Sequence, residues 1–180
     1  MVTLILVALV FAALLIIQGA KLAPQFFAGP VFPITAPVLT AQAVASGDLV
    51  GLSSGNVVRA ADTTWNTDLA TTQSDFRAIF LGASMQDKVA ATARVYGNST
   101  DNLIGVSVGG VWEYDCASAT FAVGDLVGPA KDSGNALLSN KVVAVGAEVN
   151  AIGRVVKAGA SITRVQIRLL SVKNPLARQT

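Results

Sequence analysis

The side chains able to do chemistry in this sequence are mostly carboxylates, and their setting argues against catalysis. Gly47-Asp48 and Gly124-Asp125 each place an acid directly after a glycine. That arrangement suits a catalytic or calcium-binding acid, but far more often an aspartate that caps its own turn. Asp62, Asp68 and Asp75 lie in one polar stretch without the D-x-D-x-D-G spacing that cages a hard cation. Glu113 and Asp115 flank Tyr114, so both point to the same face of a strand. Paired carboxylates serve glycoside hydrolysis, yet this pair has no accompanying aromatic sugar platform and reads as a solvated strand face. A hydrolase working with carboxylates alone is the remaining catalytic reading.

The sequence contains one cysteine, Cys116, and no histidine. A Cys–His or Ser–His nucleophile, an intramolecular disulfide and the usual structural zinc sites are therefore excluded within one chain. Gly105, Gly109 and Gly110 form no phosphate-cradling G-x-x-x-x-G-K-[ST] loop. The expectation is a non-enzymatic protein with no catalytic, cofactor-binding or metal-binding residues.

The composition asks for partners instead. Only 13% of the 180 residues are charged, the hydrophobic fraction is 52% and the mean hydropathy is +0.57. Soluble domains usually carry about a quarter charged residues, so the surplus apolar surface should meet other subunits, a membrane, or both. Charge is also unevenly placed. Lys21 is the sole charge from Met1 to Gly47, and between Asp48 and Glu148 six Lys/Arg face all 11 acids, a balance of −5. Arg154, Lys157, Arg164, Arg168, Lys173 and Arg178 then follow without an acid. A basic end beside an acidic body suits head-to-tail docking between subunits or docking on an acidic lattice. Nucleic-acid binding is disfavoured, because no aromatics interleave those cations.

Four segments follow from patterning. Residues 1–20 are uncharged and apolar on every face from Leu4 to Ile17, which predicts a hydrophobic helix. No Lys or Arg precedes that run, which disfavours a cleaved signal peptide. The helix inserts in a membrane or is sequestered against protein, and both readings stay open. Residues 21–42 hold Pro24, Pro30, Pro33 and Pro37 among Phe26, Phe27 and Phe32, predicting an extended arm. Its three phenylalanines are candidate contacts. Residues 43–172 read as short strands separated by Gly, Asn, Asp and Ser, an all-β barrel or sandwich. Residues 173–180 form a basic tail.

Candidate strands are Leu49–Leu52, Val57–Ala60, Ala78–Ala83, Val89–Tyr96, Leu103–Val108, Val111–Tyr114, Leu126–Val127, Lys141–Val145, Ile152–Lys157 and Thr163–Leu170. Gly109-Gly110 has the two-residue spacing of a tight hairpin turn. Residues 61–77 read as a long polar surface excursion, with Trp65 a candidate partner anchor, whereas Trp112 reads as core. Along the last strand Val165, Ile167 and Leu169 share one face and Arg164, Gln166 and Arg168 the other, so Arg164 and Arg168 are candidate docking residues.

The chain also repeats itself. Residues 44–51 (VASGDLVG) recur as residues 121–128 (FAVGDLVG), sharing A-x-G-D-L-V-G. Each copy is followed by Gly-Asn, at Gly55-Asn56 and Gly134-Asn135. A weaker echo aligns Ala78–Gly82 with Ala151–Val155. Two related β lobes, or two edges of one barrel, follow.

The A-x-G-D-L-V-G motif and the closing pattern Ala151–Ala158 through Val165–Leu169 resemble the capsid cement, or head-decoration, proteins of tailed bacteriophages. The resemblance covers roughly residues 43–170. It implies a compact β-barrel-like domain, commonly trimeric, that clamps neighbouring major capsid proteins from outside the virion head. The apolar residues 1–20 depart from that family's pattern and keep open a membrane-anchored surface or virion-membrane protein held by residues 4–20.

Overall fold

The two Gly-Asp motifs fold into the same turn and start the same strand. In the computed structural model, which describes residues 23–90 and 102–172, Gly47 and Gly124 take positive φ of 85° and 96°. A side chain there would suffer the left-handed clash that glycine avoids. The aspartate carboxylate then accepts from the backbone N–H three residues earlier, Ala45 at 2.9 Å and Ala122 at 2.8 Å. The glycine N–H donates across the sheet, Gly47 to the Ser84 carbonyl at 2.7 Å and Gly124 to the Val155 carbonyl at 2.9 Å.

From these turns two five-stranded units with one connectivity are built. The first contains β2 (Pro33–Pro37), β3 (Leu49–Ser53), β4 (Asn56–Arg59), β5 (Phe80–Ser84) and β6 (Leu103–Ser107), in spatial order β2-β6-β5-β3-β4. The second contains β7 (Val111–Phe121), β8 (Leu126–Lys131), β9 (Leu137–Ala144), β10 (Gly153–Val155) and β11 (Gly159–Leu169), in order β7-β11-β10-β8-β9. Each unit thus runs first-fifth-fourth-second-third, with antiparallel neighbours. A parallel contact between first and third strands closes each into a barrel. It is Cys116↔Val142 beside Asp115↔Lys141 in the second unit, and the single bridge Val38↔Val57 in the first. A further strand, β1 (Gln25–Ala28), pairs with the start of β7 through Phe26↔Trp112. The fold is all-β with an internal duplication.

Register aligns the copies residue by residue. Val50 pairs with Gly82, and Val127 with Gly153. A Cβ on Gly82 would meet the Ser107 carbonyl oxygen at 2.0 Å, and one on Gly153 the Arg168 carbonyl oxygen at 2.9 Å. The same close strand approach therefore demands glycine in both barrels. The expected echo of Ala78–Gly82 with Ala151–Val155 is off by two residues, because pairing to the turn equates Ser84 with Val155.

The interiors separate into two cores. The first barrel encloses Val38, Val50, Val57, Leu81, Ile104 and Val106. The second encloses Trp112, Tyr114, Val127, Val142, Ile152, Val165 and Ile167, and its core continues onto Leu49, Phe76, Phe80 and Ala83 of the first unit. Alternation explains this: Val50 turns into its own barrel, and Leu49 turns outward onto the neighbouring unit.

Several expectations are corrected here. The segment expected as an arm ahead of a domain beginning near residue 43 contributes β1 and β2. Pro33 and Pro37 are tolerated because they are the terminal residues of a strand at a sheet's end. Gly109-Gly110 is not a hairpin turn. β6 and β7 belong to different sheets, so the two glycines carry the chain from one barrel to the other. Residues 61–77 are no surface excursion, since helix α1 (Leu69–Ile79) buries Thr72, Gln73 and Phe76. Asp68 caps it by accepting from the Thr71 N–H at 2.7 Å. The expected strand Val89–Tyr96 finds Val89 and Ala90 outside any strand, and its remainder lies outside the described residues. The expected helix 1–20 and tail 173–180 lie outside them too. Among the described residues, no helix is long and apolar enough to cross a membrane.

Candidate assembly surface

The carboxylates considered for catalysis are occupied in holding the fold. Arg164 on β11 lies between Glu113 at 3.1 Å and Asp115 at 3.5 Å on the adjacent β7, the three side chains each about a quarter exposed. The register sets this, because Arg164 pairs with Asp115 and Gln166 with Glu113. The structure therefore unites three residues that the sequence marked for different reasons. Arg164 also reaches the Ala23 carbonyl at 3.4 Å, beside the start of β1. Asp62 is held by Arg59 at 2.8 and 2.9 Å and by Gln42 at 2.7 Å, and Asp75 accepts from Asn66 at 3.0 Å. Among the described residues no group of three or more His, Cys, Asp or Glu side chains could hold a metal ion. Cys116 is buried, its Sγ 3.5 Å from the Ile162 carbonyl. Burial pushes that thiol up, away from the reactive thiolate.

One exposed apolar surface of the described residues, and the one that carries aromatic rings, lies at β1. Among the described residues β1 has β7 as its one strand neighbour, and all four of its residues are exposed. Phe26 stacks edge-on against Trp112, ring centroids 5.8 Å apart, and stays 44% exposed. Such an aromatic contact contributes about 0.5–1.5 kcal/mol beyond area, enough to fix the strand's position. Phe27, its neighbour on the opposite face, is 59% exposed. Phe32 is half-buried against the first barrel's core. The three phenylalanines thus divide into one exposed ring, Phe27, one half-exposed ring resting on Trp112, Phe26, and one packed against the first core, Phe32.

Of the other candidates, Trp65 is half-buried under its own chain's Lys131, whose Nζ sits 4.9 Å from the ring centroid. Arg168 is exposed on β11 opposite Val111. Sequence reasoning missed Val123, which is 67% exposed in the second Gly-Asp turn. A signal was present: the variable residue of A-x-G-D is Ser46 in the first copy and apolar in the second. It also missed Lys88, buried with Nζ donating to the Thr40 and Gln42 carbonyls at 2.8 Å each. That ammonium fastens residues 40–44 to the first barrel.

The geometry defines a twin five-stranded barrel with an exposed aromatic strand, β1, at one side of the second barrel. No protein-family model matches the chain, and no curated protein matches it. Among solved structures, the crystal structure of the head fiber gp8.5 N base in bacteriophage phi29 is similar at 14% identity, with 78% of this chain and 94% of that one covered and a TM-score of 0.37. A score that low leaves function to be argued from the chain itself.

Proposed function

We propose that this chain is a non-enzymatic structural protein of a virion, which oligomerises, as a trimer in the reading its family resemblance favours, and clamps neighbouring major capsid proteins on the head surface. The observation that carries the reading is β1, a strand with one strand neighbour among the described residues and two exposed phenylalanines, on a protein whose Glu113 and Asp115 are held in structural contacts. Exposed aromatics on a strand at the end of a sheet are a template for another chain. The low charge, the duplicated barrel and the resemblance of the A-x-G-D-L-V-G motif to cement proteins support the same reading. Clamping works through many weak contacts at once, so detachment requires several to break together.

The second reading, a membrane-anchored β protein held by residues 4–20, is favoured by their lack of charge. Light scattering and negative-stain microscopy of the full-length protein, with and without mild detergent, separate the two. Ordered oligomers without detergent support a capsid component. Monomers obtained only in detergent would sink it in favour of the anchor. Immunogold labelling of purified virions then tests location, with label on heads expected and label confined to membrane fragments contradicting it.

A further inference from the structure

The register that equates the two barrels also equates their outer faces. Across the first barrel runs the row Leu49–Ala83–Ser107–Pro33, each residue opposite the next. With Gly82 matched to Gly153, the same row of the second barrel is Leu126–Arg154–Arg168–Val111. Residues directly opposite one another on antiparallel strands share a face, so each row is one strip of surface. The two strips have different fates. Leu49 and Ala83 are fully buried in the core shared with the second barrel. Ser107 is buried too, its hydroxyl donating at 2.7 Å to the Gly109 carbonyl in the passage between the barrels. In the second barrel Leu126, Arg154 and Val111 are half-buried and Arg168 is exposed.

Two positions separate the strips, Ala83 against Arg154 and Ser107 against Arg168. The small pair lets a second barrel come close. The two guanidinium groups hold one off by their bulk, and covering them would take charge out of water. They bring the sheet itself no gain, because like charges directly opposite destabilise an antiparallel pair. Arg154 is offset by Glu148 and by the Gly124 carbonyl. The Arg168 side chain has neither hydrogen bond nor ion pair among the described residues, and the nearby acids of β7, Glu113 and Asp115, are engaged by Arg164. Val123 and Val149, next in sequence to the two groups that Arg154 contacts, are exposed. We propose that Arg154 and Arg168 block this face, so that barrel-on-barrel packing stops at two and no barrel of another copy adds to the end of the pair. A stack of repeats needs a polar terminal face of this kind to remain finite. The block does not depend on attachment to a virion head.

The test is light scattering of the full chain carrying Arg154→Ala with Arg168→Ser, which gives the second strip the residues of the first. The variant should show at least twice the parent's mass at equal concentration, with unchanged circular dichroism and a melting temperature no lower. A mass equal to the parent's would mean that the face is inert, and a clearly lower melting temperature that the arginines hold the sheet. Either result overturns the proposal. The substitutions also lower the net charge from +2 to zero, which favours association anywhere on a surface. A control, Lys131→Ala with Lys157→Ala, removes the same charge from two exposed positions elsewhere and should keep the parent's mass. An equal rise in that control would overturn the block. A further variant, Arg168→Glu, leaves the face charged and should also keep the parent's mass. A fall below it would show Arg168 bound to an acid of another copy, which makes the face a contact and contradicts the proposal.

Discussion

The Tyr114 hydroxyl donates to the Gly47 carbonyl at 2.9 Å, joining the first strand of the second barrel to the Gly-Asp turn of the first. Both partners are buried, Tyr114 completely. Burial pushes the phenol well above its ordinary value of 10.0, with the Asp48 charge adding to the effect. Tyr114→Phe removes the donor and leaves a buried carbonyl unpaired, a loss of about 1–3 kcal/mol in urea denaturation. The pH dependence has a definite sign. The folded phenol titrates above the unfolded one, so its contribution is complete below about pH 10 and fades as pH rises toward the folded value. The parent should therefore lose stability above pH 10 more steeply than the Tyr114→Phe variant, and parallel profiles would contradict the assignment.

The twin turns supply a matched pair of substitutions. A Cβ on Gly124 meets nothing within 4 Å, whereas one on Gly47 meets the Pro24 Cβ and carbonyl oxygen at 2.7 Å each. Gly124→Ala should lose only the left-handed penalty of about 1–2 kcal/mol. Gly47→Ala adds a clash with backbone, a further loss of about 1–3 kcal/mol. Chemical denaturation of both variants checks the order, and equal losses would show that Pro24 does not seat on the first turn.

Asp48 is buried, and desolvation raises its carboxyl above the ordinary 3.8 against the opposing hydrogen bond from Ala45. Arg59 further lowers it, and Asp62 and Asp87 oppose that. A raised folded value means the contribution to stability is present below pH 3.8 and lost as pH rises through the folded value. Asp48→Asn keeps an oxygen for the Ala45 N–H and removes the charge. The variant should be more stable than the parent at pH 7, and the gap should close near pH 3. A variant less stable at pH 7 would contradict this balance.

Helix α1 is predicted to behave as core. Phe76 is fully buried, 5.7 Å from the Phe80 ring, and Gln73 donates to the Pro129 carbonyl at 2.8 Å across to the second barrel. Phe76→Ala should cost about 3–5 kcal/mol, measured as a shift of the denaturation midpoint. A loss under about 1 kcal/mol would mean the helix sits loosely on the barrels.

That helix shows where sequence reading stops. Its buried face is Thr72, Gln73 and Phe76, a single large apolar side chain, so no hydrophobic stripe announces it. The Gly-Asp turns were legible because the turn itself dictates glycine and aspartate locally. β3, β4 and β6 were legible from short apolar runs. Which strands pair was not: Gly109-Gly110 has hairpin spacing, yet β7 pairs with β1, β11 and β9, all distant in sequence. At the candidate surface, phenylalanines among prolines pointed to Phe26 and Phe27, but the ring contact that packs Phe26 on Trp112 is long-range. The locking of Arg164 by Glu113 and Asp115 follows from strand register, which sequence periodicity leaves undetermined.

The central claim is attachment to a virion head, and sedimentation measures it most directly. Purified full-length chain is titrated onto heads lacking it, and the pelleted protein is counted against major capsid protein. The account predicts saturable binding at a fixed ratio set by the lattice, weakened by Phe27→Asp. Protein that remains in the supernatant at every concentration, or that pellets only with lipid vesicles, would contradict it.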